Sequence, residues 1–248
     1  MNKLLIVASV IISIALYACK HTPPDQPVFT PPGGGSTTGG GGTGGGTGST
    51  AICFQSEVLP IFQSNCAKSG CHDAAAHKGG YVLNAYDSLF KKEGKVNDNN
   101  IKPGDPSGSE LYKILFETGS EKMPPLPNPD LTTAQKNLIA RWINEGAKNT
   151  TNCVVSCDSG QFKFAANILP ILQNHCTGCH TGTNPGTNPS GIDLTTHANV
   201  LPSAQNGFLV GVITPGSGYN QMPKGLGKLS DCEIAQIRKW VQAGSQNN

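Results

Sequence analysis

The sequence predicts an all-α protein: two tandem small helical domains with long loops, placed after a disordered Gly-rich tether. An internal repeat is the first observation behind this. Leu59-Pro60-Ile61-Phe62-Gln63-Ser64-Asn65-Cys66 aligns with Leu169-Pro170-Ile171-Leu172-Gln173-Asn174-His175-Cys176 at an offset of 110. Gly80-Tyr81-Val82-Leu83 follows at 111 with Gly191-Ile192-Asp193-Leu194, and Leu131 to Ile143 at 98 with Leu229 to Val241. The second observation is that each repeat closes on an amphipathic helix pattern, with no strong alternating strand run anywhere. The third is the low-complexity stretch before the first repeat, almost entirely Gly and Thr over 33–48.

From the N-terminus, residues 1–18 read as a signal peptide. Lys3 supplies the positive start, and the apolar run that follows is too short to span a bilayer comfortably. It ends in Leu16-Tyr17-Ala18-Cys19, which resembles a bacterial lipobox and marks Cys19 for lipidation; a plain cleaved signal with a stray Cys is the alternative. Residues 19–50 form the lipidated N-terminus and a Pro/Gly/Thr-rich linker that cannot bury a core. As a flexible chain it has a mean span of about 30 Å. Domain 1 is placed at 51–153 and domain 2 at 154–248.

In each repeat the segment before the first motif Cys is helical, with Val58, Leu59 and Phe62 at helix spacing and Pro60 near the start. The closing helix of repeat one has Thr132 or Thr133 as N-cap, an apolar stripe of Leu138, Ile139, Trp142 and Ile143, and Gly146 as its stop. In repeat two Ser230 caps with Glu233 at capping-box spacing, the stripe is Ile234, Ile237, Trp240 and Val241, and Gly244 stops it. Trp142 and Trp240 are core residues on this reading.

A net charge of +2 with only 14% charged residues gives no case for nucleic acid. Nine Cys point to an oxidising compartment. Four of them sit in motifs. Cys176-Thr177-Gly178-Cys179-His180 has the Cys-x-x-Cys-His form of a covalent haem attachment site. Two thiols at that spacing can each form a thioether to one haem, and the following imidazole can ligate the iron. Cys66-Ala67-Lys68-Ser69-Gly70-Cys71-His72 occupies the same slot of repeat one with a longer spacer. The bland alternatives are zinc or a redox dithiol at the first of these, and a local Cys66–Cys71 disulfide at the other.

A sixth iron ligand is expected from Met123 and Met222. Each precedes a Pro in the same slot of its repeat, 51 residues after His72 and 42 after His180. A thioether is a soft ligand that raises the potential of haem iron; core filling is the alternative. His77 and His197 are minor alternatives as ligands, His77 reading as solvated and His197, aligned with Tyr86, as a polar contact. Cys53, Cys153, Cys157 and Cys232 remain. Bracketing of the repeats favours Cys53–Cys153 and Cys157–Cys232, with Cys153–Cys157 as the runner-up.

These motifs resemble class I cytochrome c domains, in particular the planctomycete-type cytochrome c family. The resemblance rests on Leu169 to Leu172 before the haem Cys, Pro103-Gly104-Asp105-Pro106 with Ser109 and Leu111, Met123-Pro124-Pro125, and Arg141 to Ala147. It covers about 51–148 and 162–245. It implies an all-α cytochrome c-like fold around haem c, with His72 and His180 proximal and Met123 and Met222 distal. The longer first spacer departs from the pattern, and so does the loss of the Pro-Gly-Asp-Pro segment from repeat two.

The function expected from this reading is that of a dihaem c-type cytochrome with two covalently bound haem c. It would be a lipid-anchored one-electron carrier in the bacterial cell envelope, facing the periplasm or cell surface. Its partners would be redox proteins, and it would be a monomer and an electron-transfer protein, not an enzyme. The alternative is a dihaem peroxidase-like enzyme with one five-coordinate haem.

Overall fold

A computed structural model describes residues 51–151, 153, 157–183 and 188–248. The expected signal peptide, Cys19 and the tether lie outside the described residues. Within the described part the structure is helical, with a single two-stranded ribbon. No helix among these residues is long and apolar enough to cross a membrane.

The first repeat opens with a π-helical turn, Phe54–Val58, that runs into α1, Leu59–Asn65. The turn is wide because Pro60 cannot donate a backbone hydrogen bond and its ring crowds the carbonyl four residues back. The N–H of Leu59 therefore reaches the carbonyl of Phe54. The second repeat does the same: Phe164–Ile168 is a π turn, α5 is Leu169–His175 with Pro170 in its first turn, and Leu169 N–H bonds to Phe164. The likeness of the repeats thus begins at Phe54 and Phe164, five residues before the aligned Leu-Pro-Ile block.

Between α1 and α5 lie α2 (Tyr86–Leu89), the ribbon β1 (Lys91–Lys92) and β2 (Lys95–Val96), α3 (Glu110–Lys113) and α4 (Thr133–Asn144). After α5 come α6 (His197–Gln205), α7 (Phe208–Ile213) and α8 (Asp231–Gln242). Helices α4 and α8 carry matching capping boxes. Thr132 accepts from the Gln135 N–H while Gln135 reaches back to Thr132, and Ser230 and Glu233 repeat the exchange. Each helix then stops at a glycine with positive φ, 93° at Gly146 and 90° at Gly244. The next residue is left-handed in both cases, Ala147 and Ser245, and its N–H closes on the Trp142 or Trp240 carbonyl.

Two hydrophobic clusters form, one in each repeat. Phe54, Ile61, Phe62, Leu89, Ile101, Ile139 and Trp142 make the heart of one, and Phe164, Ile168, Leu172, Val200, Ile237 and Trp240 the heart of the other. Each Trp is 1% exposed and packs on the Phe that starts its repeat, at centroid distances of 5.0 Å for Phe54–Trp142 and 5.3 Å for Phe164–Trp240. The indole N–H groups donate to the Lys148 and Gln246 carbonyls, again matching positions.

The repeats differ in their middle segments. In the first, Asp105 organises the Pro-Gly-Asp-Pro loop by accepting from the Ser107 hydroxyl and the Gly108 N–H. The second dispenses with that loop and with the ribbon. There α6 and α7 meet at Gly207, whose φ of 82° makes the corner.

Candidate haem-binding sites

Helix α1 ends at Asn65, so Cys66 leaves the helix with its N–H still bonded to Phe62 (2.8 Å). The chain then turns through Lys68 and Gly70, with Cys71 N–H on the Lys68 carbonyl and His72 N–H on the Cys66 carbonyl (3.1 Å). In the second motif Cys176 N–H bonds to Leu172 (2.8 Å) and His180 N–H to the Cys176 carbonyl (2.9 Å). Both spacers therefore close on the same bond, from the His amide to the first Cys carbonyl. Gly70, at φ 80°, lets the two extra residues fold out. The exit is also shared: Leu83 N–H bonds to His72 and Leu194 N–H to His180, both at 2.9 Å.

Cys66, Cys71, His72 and Met123 line one cavity of about 640 Å³. That size lies in the ligand-pocket range of roughly 300–1,000 Å³. Its walls include Phe62, Tyr81, Leu83, Leu111, Leu115 and Pro124, while Lys78, Lys113, Glu110, Glu117 and Glu121 bring charges of both signs to it. Burial, with some help from neighbouring Cys71, pushes the Cys66 thiol up to about 12. Burial also pulls His72 below its ordinary value, which favours the neutral imidazole that metal ligation requires. His72 Nδ1 is buried without a hydrogen-bond partner. Two unpaired thiols, a buried imidazole and a thioether residue around one largely apolar space are a donor set that fits a covalently held haem.

In the second repeat burial likewise raises the Cys176 thiol to about 12, while Cys179 is exposed. His180 is pulled down by burial, and its Nδ1 lies 3.2 Å from the Ile192 carbonyl and 3.2 Å from Ser190 Oγ. An Nδ1–H donated to that carbonyl leaves Nε2 as the free ligand nitrogen. Met222 N–H bonds to Val212 (2.8 Å), as Met123 N–H bonds to Ile114 (3.3 Å). The two methionine loops therefore hang from matching residues. Only the first is also tied to its own haem motif: Lys68 Nζ donates to Asn128 Oδ1 at 2.7 Å. Among the described residues no hydrogen bond joins the Met222 loop to 176–180.

The remaining histidines among the described residues are committed elsewhere or open to solvent. His197 Nε2 bonds to the Ser245 carbonyl at 2.7 Å, and its ring packs edge-on against Phe164. Tyr86 plays the same part in repeat one, donating to the Ala147 carbonyl at 2.8 Å. His77 is exposed. His175 Nε2 lies 3.0 Å from Glu233. The described cysteines outside the motifs are paired as Cys53–Cys153 and Cys157–Cys232. Sequence reasoning passed over Lys68 and Asn128; the only sign of Lys68 was that a lysine occupied the lengthened spacer.

Residues 69–127 match the family model of planctomycete cytochrome C. No curated protein and no solved structure matches the chain. The matched stretch begins inside the first spacer and carries Cys71, His72, the Pro-Gly-Asp-Pro loop and Met123. Over 69–127, therefore, this chain is similar to the planctomycete cytochromes c, and the all-α fold, the oxidised structural cysteines and the donors around the cavity agree with a c-type cytochrome.

Proposed function

We propose that the protein is a dihaem c-type cytochrome that carries electrons one at a time between redox proteins of the cell envelope. One haem would be bonded to Cys66 and Cys71 and ligated by His72 and Met123; the other would be bonded to Cys176 and Cys179 and ligated by His180 and Met222. Lipidated Cys19 would anchor the chain to a membrane, with the folded part on the periplasmic or outer side. The single observation that carries this reading is the common cavity of Cys66, Cys71, His72 and Met123.

Haem iron supplies a reversible ferric–ferrous couple. The protein's own part is to hold and insulate it. The four motif thiols would hold the haems by adding across their vinyl groups, and the half-buried neutral imidazoles of His72 and His180 would present a lone pair to the iron. Phe62, Leu111 and Leu115, which line the cavity, would keep water from the ring. The second repeat enters by homology of its parts: the same π turn, the same His-to-Cys bond and the same hung methionine loop.

Whole-protein mass and visible absorption test the proposal. A mass increment of two haems, with a weak far-red band from methionine-ligated ferric iron, is expected. Met123→Ala and Met222→Ala should each convert one haem to high spin. A colourless mature protein overturns the proposal, and a single haem overturns its dihaem half. One high-spin haem in the unmutated protein would turn the reading towards a peroxidase-like enzyme.

A further inference from the structure

The lengthened spacer of the first motif does more than close on Cys66. Its Lys68 Nζ donates to the Gly178 carbonyl inside the second motif at 2.6 Å, as well as to Asn128 Oδ1 at 2.7 Å. One ammonium thus joins the first attachment loop, the Met123 loop and the second attachment loop. Beside it, the Ser64 hydroxyl donates to the Asn174 carbonyl at 2.7 Å. Gln135, on the cap of α4, donates to the Gln173 carbonyl at 3.0 Å.

The bonded positions are telling. Ser64 and Asn174 are 110 residues apart, the offset that aligns the repeats as far as Cys66 and Cys176, and Lys68 and Gly178, in the spacers that follow, are also 110 apart. Residues meeting their own counterparts are the mark of a two-fold relation, with the axis running through the contact. Here that contact is α1 against α5, the helices that deliver the two motifs. The approach is close: a Cβ at Gly178 would collide with the Ser64 backbone carbonyl. Gly178 is buried there. Thr177, the other spacer residue of the second motif, bonds within its own repeat instead, to Gln173.

We propose that this junction is a coupling device: Lys68 and Gly178 lock the two attachment loops together, so that the two haems form one rigid pair that exchanges electrons internally. The proposal rests on the dihaem reading above. In each exchange one electron leaves a ferrous iron, which becomes ferric, and enters a ferric iron, which becomes ferrous; no proton moves and no bond changes. Lys68 is a positioning residue here. It lines the first cavity but acts by tying the two loops together, and its positive charge beside both would favour the reduced state of each iron.

The test uses the mature full-length protein, with Lys68→Met, Lys68→Arg and Gly178→Ala. Backbone hydrogen exchange over 174–180 reads the junction whether or not haem is present. Injection of less than one electron per molecule from a photochemical one-electron reductant, followed by redistribution between the haems, reads the coupling. Loss of one charge-assisted bond should speed exchange at 176–179 by about tenfold in Lys68→Met. Gly178→Ala should do the same, electron redistribution should slow in both, and Lys68→Arg should retain most of each property. Unchanged amide exchange in both Lys68→Met and Gly178→Ala overturns the junction. Faster amide exchange with unchanged redistribution overturns the coupling and leaves Lys68 a structural clamp. A protein without haem would sink the dihaem reading, yet the exchange data would still decide the junction.

Discussion

In the first repeat Tyr86 spans from the Phe54–Trp142 pair to the Ala147 carbonyl; in the second, His197 spans from Phe164 and Trp240 to the Ser245 carbonyl. Two different side chains fill one notch and satisfy one acceptor. The same holds at the caps of the closing helices, where Thr132 with Gln135 does the work of Ser230 with Glu233. What is common to the repeats is geometric: a large flat residue beside each Trp, a partner for a left-handed carbonyl, a closed cap. What differs is charge and reach. Lys68 reaches out of the first motif, where the second has Gly178 as its acceptor, and Glu233 holds His175 in its own repeat, where Gln135 reaches across to Gln173.

The disulfides offer the largest test of this likeness. Cys53–Cys153 closes a separation of 100 residues and Cys157–Cys232 one of 75. In the chain-entropy view each contributes about 4 to 5 kcal/mol, and the logarithmic dependence on loop length makes them nearly equal. Urea unfolding of Cys53→Ser/Cys153→Ser and of Cys157→Ser/Cys232→Ser should therefore give similar losses. A gap of several kcal/mol would mean that one bond carries the chain and the other does not.

Trp142→Ala and Trp240→Ala come next, each expected to cost about 3 to 5 kcal/mol because both indoles are fully buried. Thermal melts should rank them together. If only one proved costly, the two clusters would be unequal despite their matching contacts.

Glu233→Gln sharpens the comparison by turning the second cap into a copy of the first. Burial works against the Glu233 carboxylate, but the hydrogen bond and charge of His175, with two bonds from Ser230, outweigh it and hold the group below its ordinary value of 4.5. The stability that follows is present above about pH 4.5 and is lost as pH falls through the depressed folded value. The variant should lose about 1 to 2 kcal/mol at neutral pH and flatten the acid limb of the stability profile. Denaturant midpoints measured from pH 3 to pH 7 are the check; an unchanged acid limb would remove Glu233 from the account.

The smallest effect belongs to the notch. Tyr86→Phe should cost about 1 kcal/mol for the lost bond to Ala147. His197→Tyr, which restores in repeat two the side chain of repeat one, should change stability by less than about 0.5 kcal/mol if geometry is all that matters. A large loss would show that the imidazole is needed for itself.

Much of this was legible in the chain because it rests on local rules. Capping residues three apart, a glycine after an apolar stripe and thiols at fixed spacing before a histidine act over one or two turns, where neighbours in sequence are neighbours in space. The alignment of His197 with Tyr86 also pointed to its polar contact. The π turns were harder to see. They come from a proline two residues into the helix acting on a carbonyl behind it, and from Phe54 and Phe164 being drawn under the tryptophans. The path of the second repeat's middle was equally hidden: α6 packs on α7 and α7 on α8 in place of the missing loop, with the Asn206-Gly207 corner between α6 and α7 as its local turn signal.

By itself, then, the amino-acid order determined the repeat, the caps and the placement of eight cysteines in motifs and brackets, and it named the residues proposed as donors to each candidate iron. Tertiary structure alone decided that Met123 faces the same space as Cys66, Cys71 and His72, and that α1 meets α5. The reason is range. Those contacts join residues far apart in sequence, 51 positions for His72 and Met123 and 110 for Lys68 and Gly178, and a lysine in a spacer gives no hint of its acceptor until the fold brings Gly178 within 2.6 Å.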